Sequence, residues 1–262
     1  MTDDALRTHR DEPLAALPED HSSKAARILA AADALLLARG SRGFSVADVA
    51  NEAHVGKGTV YLYWATKEDL LLGLIARDFI AVAEEAIAAL RADPQLALPS
   101  RLCPYLLRVT SQRTLVKALQ DNDAGLLGVL VTHPRSVVLR DALGPIALLN
   151  AVLPSWRKNG LARTDWDLSD QVLTLHALIA GFQLAVRQPM TPMTPTDPCS
   201  VMAAAVAALL GPELATSAQT QTAAEDICRF LQQGRSMALA DISQPATAGD
   251  KHLSRTEPQR GH

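Results

Sequence analysis

Residues 44–69 read FSVADVANEAHVGKGTVYLYWATKED, and their pattern constrains everything around them. Ser45, with Asp48 three residues later, forms a variant of the helix-capping box. The serine Oγ can accept from the Asp48 N–H while the carboxylate sits at the positive end of the helix dipole. Phe44 before the cap and Val49 after it are placed for a hydrophobic staple. Val46, Val49, Ala50 and Ala53 then make one apolar stripe at helical spacing. His54-Val55-Gly56 fits a turn, and a second helix is expected from about Lys57 to Trp64. Val60 and Trp64, four apart, can face inward, which leaves Lys57, Gly58, Thr59, Tyr61 and Tyr63 pointing elsewhere. Thr66 and Asp69 repeat the cap pattern, so Lys67 enters a third helix at its first turn.

Two short helices at a sharp angle, the second presenting hydroxyls, a glycine and a lysine, describe a helix-turn-helix. Thr and Tyr hydroxyls can bond to phosphates or base edges, Gly58 permits close backbone approach, and Lys57 adds charge. A solvated helical hairpin in an ordinary all-α domain would show a similar pattern.

The stretch HVGKGTVYLYWATKEDLL, residues 54–71, resembles the signature of the TetR family of bacterial transcriptional regulators. Gly58, Thr59, Tyr61, Tyr63, Lys67, Glu68 and Leu70 fall on matching positions, and Ala26 to Ala53 resemble the family's first two helices. The resemblance implies DNA contacts by Lys57, Thr59, Tyr61, Tyr63 and Lys67, with Ser45 on the supporting helix and Gly58 at the closest approach. Three residues depart from the pattern. His54 replaces the usual turn glycine, so a histidine must meet any left-handed position there. Gly56 replaces the usual serine cap, at a cost of only a few tenths of a kcal/mol. Trp64 replaces phenylalanine and enlarges the inward anchor.

The chain has 262 residues, enough for one large or two modest domains. With 48% hydrophobic and 20% charged residues, its composition is that of an ordinary soluble protein. A net charge of −3 would not by itself suggest a nucleic-acid partner, but the distribution is uneven. Residues 21–67 hold six basic side chains (Lys24, Arg27, Arg39, Arg42, Lys57, Lys67) against three acidic ones, whereas residues 1–20 are acidic. DNA affinity is therefore expected from geometry and dimerisation as much as from charge. Cys103, Cys199 and Cys228 show no zinc spacing and no secretory signal precedes them, which points to a reducing cytoplasm; the resemblance implies location on the nucleoid. Buried small hydrophobes are their expected role, with a redox sensor as the alternative. The longest apolar runs, Ala142–Val152 and Val201–Leu210, read as too short or too broken to span a bilayer.

Four segments follow: a disordered arm (1–20), the helix-turn-helix domain (21–67), a helical ligand-binding and dimerisation domain (68–240) and a disordered tail (241–262). The fold class is all-α, with no convincing strand. Ser22 or Ser23 caps the first helix and Gly40 stops it. The helix beginning at Lys67 keeps its apolar pattern to Leu90, long enough to touch the head at one end and the next domain at the other. Further helices are expected over Ser100–Gln120 (interrupted near Pro104), Asn122–Thr132, Ser136–Gly160 (disturbed at Gly144-Pro145 and Pro154), Leu168–Gln188, Pro198–Leu210 and Ala223–Leu239. From Arg187 through Pro198, four prolines predict a stiff extended connection.

Residues 170–186 and 201–210 are apolar nearly all round, so both are expected to be buried on every side. The resemblance implies that they pair with their mates as a four-helix bundle in a homodimer; a fully internal position is the alternative. His133, His176, Glu84, Glu85, Asp165 and Asp167 form no catalytic or metal-ligating spacing, and the chain is read as neither an enzyme nor a holder of metal or cofactor. The resemblance implies a small-molecule effector among the central helices. With half the aromatic residues in the head or linking helix, including Phe79, an aliphatic pocket for a lipophilic molecule is expected, with Gln112, Asn150, His176 and Gln183 as polar liners. The resulting reading is a transcription repressor released from a palindromic operator by a small lipophilic ligand. The alternative is a DNA-bound protein that recruits another protein and has no inducer.

Overall fold

The computed structural model describes residues 17–113, 124–187 and 197–243, and all regular structure among them is helical. In chain order the helices are α1 (Pro18–His21), α2 (Ser23–Arg39), α3 (Val46–Glu52), α4 (Lys57–Tyr63), α5 (Lys67–Ala92), α6 (Pro99–Ser111), α7 (Ala124–Thr132), α8 (Ser136–Leu143), α9 (Pro145–Lys158), α10 (Leu168–Arg187), α11 (Pro198–Leu210) and α12 (Ser217–Ser243), with a 3-10 turn at Pro94–Ala97 after α5. The expected all-α class is the observed one.

Capping chemistry sets the boundaries of the head. Ser22 Oγ accepts from Ala25 N at 3.3 Å to open α2, and Gly40, at φ 69°, closes it. Asp48 N donates to Ser45 Oγ at 3.3 Å, and Ser45 N donates back to Asp48 Oδ2 at 2.7 Å, completing the box. Hydrogen bonds from the Ser45 hydroxyl and backbone hold the Asp48 carboxyl below its usual pKa. His54 takes the left-handed turn position, at φ 53°. Val60 and Trp64 are buried, as their spacing predicts.

A single apolar core runs from α2 through α5 into the C-terminal helices. The first turns of α5 close the head with Leu70 and Leu71, while Ala83, Ala86 and Leu90 are buried further along. The expected boundary at residues 67–68 therefore falls inside one continuous helix. Around its second half, α12 packs on α5, α8, α9 and the 3-10 turn, and α11 packs on α6. The Trp156 indole N–H donates to Ala97 O at 2.8 Å across the buried centre. Glu213 reaches from the α11–α12 connection to accept from the Ser100 N–H and hydroxyl, both at 2.7 Å, and so caps α6.

Several expected boundaries move. Residues 17–20, assigned to the arm, are ordered: Pro18 opens α1 and Glu19 makes a two-pronged ion pair with Arg77 of α5. The last helix spans 217–243, beyond the expected 223–239 at both ends, because Thr216 and Gln219 cap its start and Asp241 engages Arg135 near its end. Pro104 and Pro154 lie inside unbroken helices, whereas Gly144 does separate α8 from α9. Pro104 is buried among Leu102, Cys103 and Leu107, so packing outweighs the missing N–H. By length and composition Ser136–Lys158 would pass for a membrane span, contrary to the sequence reading, but it is these two helices and nearly half of it is buried. The proline-rich connection, the outer parts of arm and tail, and residues 114–123 lie outside the described residues.

The inner face of α12 is tight. A Cβ placed on Gly234 would stand 2.3 Å from the carbonyl oxygen of Ala142, which is backbone and cannot swing away. Gly234→Ala is therefore expected to destabilise the protein by about 1–3 kcal/mol through overpacking, although alanine is the better helix former. Urea denaturation checks this, and an unchanged or higher midpoint would mean that α8 and α12 can separate freely.

Candidate functional site

Two regions carry the expected function: the exposed face of α4 and a cavity beside the second half of α5. On α4, Lys57, Gly58 and Tyr61 are exposed and Thr59 is half-buried, while Val60 is 1% exposed and faces the core. The Lys57 ammonium lies 5.8 Å from the centroid of the Tyr61 ring, so charge and hydroxyl are presented together. Ser45 is exposed at the N-terminus of the supporting helix α3.

Tyr63 and Lys67 are placed differently from the expectation. The Tyr63 hydroxyl shares a 2.6 Å hydrogen bond with Ser22 Oγ, and its half-buried ring packs against the core. It fastens the end of α4 to the cap of α2. Lys67 points its ammonium back into the head, donating to Ser41 O at 2.5 Å and to Phe44 O, with Nζ 4.2 Å from the Phe44 ring centroid. The carbonyls leaving α2 and entering α3 are thereby tied to the first turn of α5. Both residues brace the head from within, an arrangement that residue type and spacing alone do not reveal.

The same turn of α5 meets the body. Thr66 and Asp69 form the expected capping box, with Asp69 N donating to Thr66 Oγ1 and Thr66 N donating to Asp69 Oδ2, both at 3.0 Å. The other carboxylate oxygen, Oδ1, lies 3.2 Å from His133 Nε2 in the α7–α8 connection. His133 Nδ1 accepts the Arg135 N–H at 3.3 Å, which places the ring proton of the neutral imidazole on Nε2, donating to Asp69. Arg135 in turn pairs with Asp241 at the end of α12.

The cavity measures about 310 Å³, at the low end of the range for small-ligand pockets, about 300–1,000 Å³. One wall is α5 with Phe79, Val82, Ala83 and Ala86; α6, α9 and α10 supply most of the rest, with Leu143 of α8 and Leu231 of α12 completing it. Of the four expected polar liners, His176 and Gln183 are present, seven residues apart on one face of α10 with Ile179 between them. Gln112 and Asn150 are not. The inward positions on α9 are Pro145, Leu148, Leu149, Val152 and Trp156, at spacings of three and four, and Asn150 falls off that face into solvent. After Thr110 the next inward residue is Arg113, just past the end of α6, and Gln112 is exposed at the helix cap. Arg113 is engaged by Glu85 at 2.5 Å. Phe79, Asp78 and Arg113 line the cavity without having been expected there; a register count along α5 could have found the first two.

Cys103 lines the cavity as a buried thiol, and burial, with a smaller contribution from Glu213, pushes its pKa up to about 12. It is an inert hydrophobe near neutral pH. Cys228 is buried also, while Cys199 is only half-buried. No group of three or more potential metal ligands comes together among the described residues.

Lys67→Met keeps the hydrocarbon stem but leaves two carbonyls without the ammonium. We expect a loss of about 1–3 kcal/mol in unfolding free energy, measured by urea denaturation of the full chain. A variant as stable as the wild type would return Lys67 to the DNA-facing set.

Comparison with known proteins bears on both regions. The model described as bacterial regulatory proteins, tetR family, matches residues 28–74, from α2 into α5. Among solved structures, the reduced form of NemR from E. coli superposes with a TM-score of 0.53 at 22% identity, covering 72% of this chain and 99% of that one. A fatty acid degradation regulator, FadR from Bacillus halodurans, aligns more loosely, with a TM-score of 0.46 at 17% identity over 74% of this chain and 98% of that one. No curated protein matches the chain. The NemR superposition speaks for the fold alone, and the match over residues 28–74 gives the chain a helix-turn-helix head of the TetR family of transcription regulators.

Proposed function

We propose that this protein is a homodimeric repressor, acting on the nucleoid in the cytoplasm, that leaves a palindromic operator when a small lipophilic molecule fills the cavity beside α5. The observation that carries this reading is the course of one helix. α5 begins with Lys67 and Asp69 bound to the head and the α7–α8 connection, and its later residues Phe79, Val82, Ala83 and Ala86 form a cavity wall. A ligand there does not need to touch DNA, because a shift of α5 moves the head. The apolar walls favour a lipophilic guest, and His176 and Gln183 offer it hydrogen bonds from one side. An existing ligand-sized cavity supports this reading over a recruiter with a solid body. Lys57, Gly58, Thr59 and Tyr61 on α4, with Ser45 on α3, are the proposed DNA contacts; Tyr63 and Lys67 act by positioning them. No catalytic role is assigned to any residue.

Dimerisation through α10 and α11 is supported by what one protomer leaves uncovered. On α11, Met202, Val206 and Leu210 face inward, while Val201, Ala204 and Ala208 are exposed. On α10, Leu173 is 65% and Leu184 56% exposed, with Ala177, Ala180 and Gly181 beside them. A second copy would cover this apolar face and set two heads about 34–36 Å apart or a multiple of that spacing. Ala180→Glu and Ala204→Glu place charge at exposed positions and should leave each protomer folded. Light scattering should find monomers, and operator binding should fall with the loss of the second head. Dimers persisting in both variants would move the interface elsewhere.

Induction is tested by linkage. A lipophilic compound found by thermal shift is titrated against the protein with and without saturating operator DNA. Operator should weaken ligand binding by the factor by which ligand weakens operator binding, about 5–150-fold for typical coupling energies. Equal ligand affinity in the two titrations would rule out induction by that compound and favour the recruiter.

A further inference from the structure

Leu62 lies in the last turn of α4 with 82% of its surface exposed, more than any other large apolar side chain among the described residues. Successive residues turn by about 100° along a helix, so the exposed arc of α4 holds Lys57, Tyr61, Gly58 and Leu62 in that angular order. Gly58 and Leu62 are one turn apart on the same ridge, and a helical side chain leans toward the N-terminus, so Leu62 stands over the turn of Gly58. The fold does not explain that glycine. A Cβ built on it meets nothing within 4 Å, and its φ is ordinary. Glycine also weakens a helix relative to alanine. The open space therefore faces outward: a bare backbone floor at Gly58, an apolar wall at Leu62, and the Lys57 ammonium and Tyr61 ring alongside.

This shelf lies on the helix that heads of this class put into the major groove. There, the apolar group projecting from the base edges is the C5 methyl of thymine. Cytosine carries only hydrogen at that position, and the other groups on the groove floor are hydrogen-bond donors and acceptors. A leucine cannot pair with those, but it can exclude water from a methyl. We propose that Leu62, standing over the glycine floor at Gly58, reads thymine in the operator through its C5 methyl. The inference rests on α4 entering the major groove and adds the base that the helix selects there.

The experiment uses the full-length protein. Binding sites are first selected from a random duplex pool. Each thymine of the selected site is then replaced singly by deoxyuridine, which keeps the hydrogen-bonding edge and lacks only the methyl. Wild-type protein should lose about fourfold in affinity at one thymine of a half-site, the value of one buried methyl-sized group. Leu62→Ala, a change at an exposed position that should not disturb folding, should bind the thymine and deoxyuridine forms of that site equally. Gly58→Ala should bind both forms more weakly than wild type by a similar factor, with no fall in melting temperature. If every thymine tolerates replacement, or if the loss persists undiminished in Leu62→Ala, the methyl contact is overturned. If Gly58→Ala binds as the wild type does, the glycine floor is overturned. Failure to select any site would instead refute the groove-reading role of α4, on which the inference depends.

Discussion

The first turn of α5 is held from two sides, by an ammonium facing the head and a carboxylate facing the body. Lys67 bonds to the carbonyls of Ser41 and Phe44, so α5 cannot turn without carrying the α2–α3 connection with it. Asp69 caps its own helix with one oxygen and receives the His133 proton with the other. A cap of this kind contributes about 1 kcal/mol, and hydrogen bonds to charged groups about 1.5–3 kcal/mol. Each of these contacts alone is comparable to the coupling energy of a typical allosteric protein, about 1–3 kcal/mol. The junction is thus strong enough to transmit a shift of α5 and weak enough to be remade when the helix moves.

At the other end the cavity has a definite chemistry. Its walls are mostly side chains that gain nothing from water, so an apolar guest is favoured by the area it removes from solvent. The guanidinium of Arg113 is already engaged by Glu85, and an anionic ligand would have to compete for it. His176 and Gln183 offer a neutral guest an orientation, because both lie on one helix about 10 Å apart, seven residues at 1.5 Å each. The inert Cys103 thiol at this wall favours reversible occupancy over covalent capture.

How much of this was legible depended on whether a feature was local. The capping boxes at Ser45–Asp48 and Thr66–Asp69, the histidine at a left-handed turn position and the inward pair Val60 and Trp64 follow from near-neighbour geometry, and all are observed. The internal bonds of Lys67 and Tyr63 could not be foreseen because their partners, Ser41, Phe44 and Ser22, lie 23–41 residues away. Their side-chain types suit a phosphate as well as they suit an internal brace. The two expected residues that do line the cavity, His176 and Gln183, sit on one face of a strongly apolar helix, where a polar residue stands out. Asn150 and Gln112 failed by a single step of helical phase. Phe79 was set aside with the head because it lies on the linking helix, yet that helix is long enough to belong to both regions. The ordered Glu19–Arg77 pair was invisible because an acidic, proline-bearing arm gives no periodic signal.

With the Lys67 ammonium turned inward, the electrostatic contribution to DNA binding narrows to Lys24, Arg27, Arg39, Arg42 and Lys57, all exposed. The chain has a net charge of −3 and its head, residues 21–67, carries +3, so the remainder carries −6, of which residues 1–20 hold −4. That acidic remainder is repelled by phosphate, which limits the total attraction. Non-specific affinity scales with the number of phosphates neutralised, and five basic residues in a head, one of them beside the Asp48 carboxylate, cannot neutralise many. In the proposed dimer, discrimination would then come from contacts that do not depend on net charge: the fit of a bare helix turn against the groove, hydroxyls on the base edges, and the pairing of two heads at a fixed spacing. That dependence would also make the proposed device switchable. An operator held mainly by matched geometry is released by a small change in head separation, whereas one held by a broad basic surface would follow the heads as they moved.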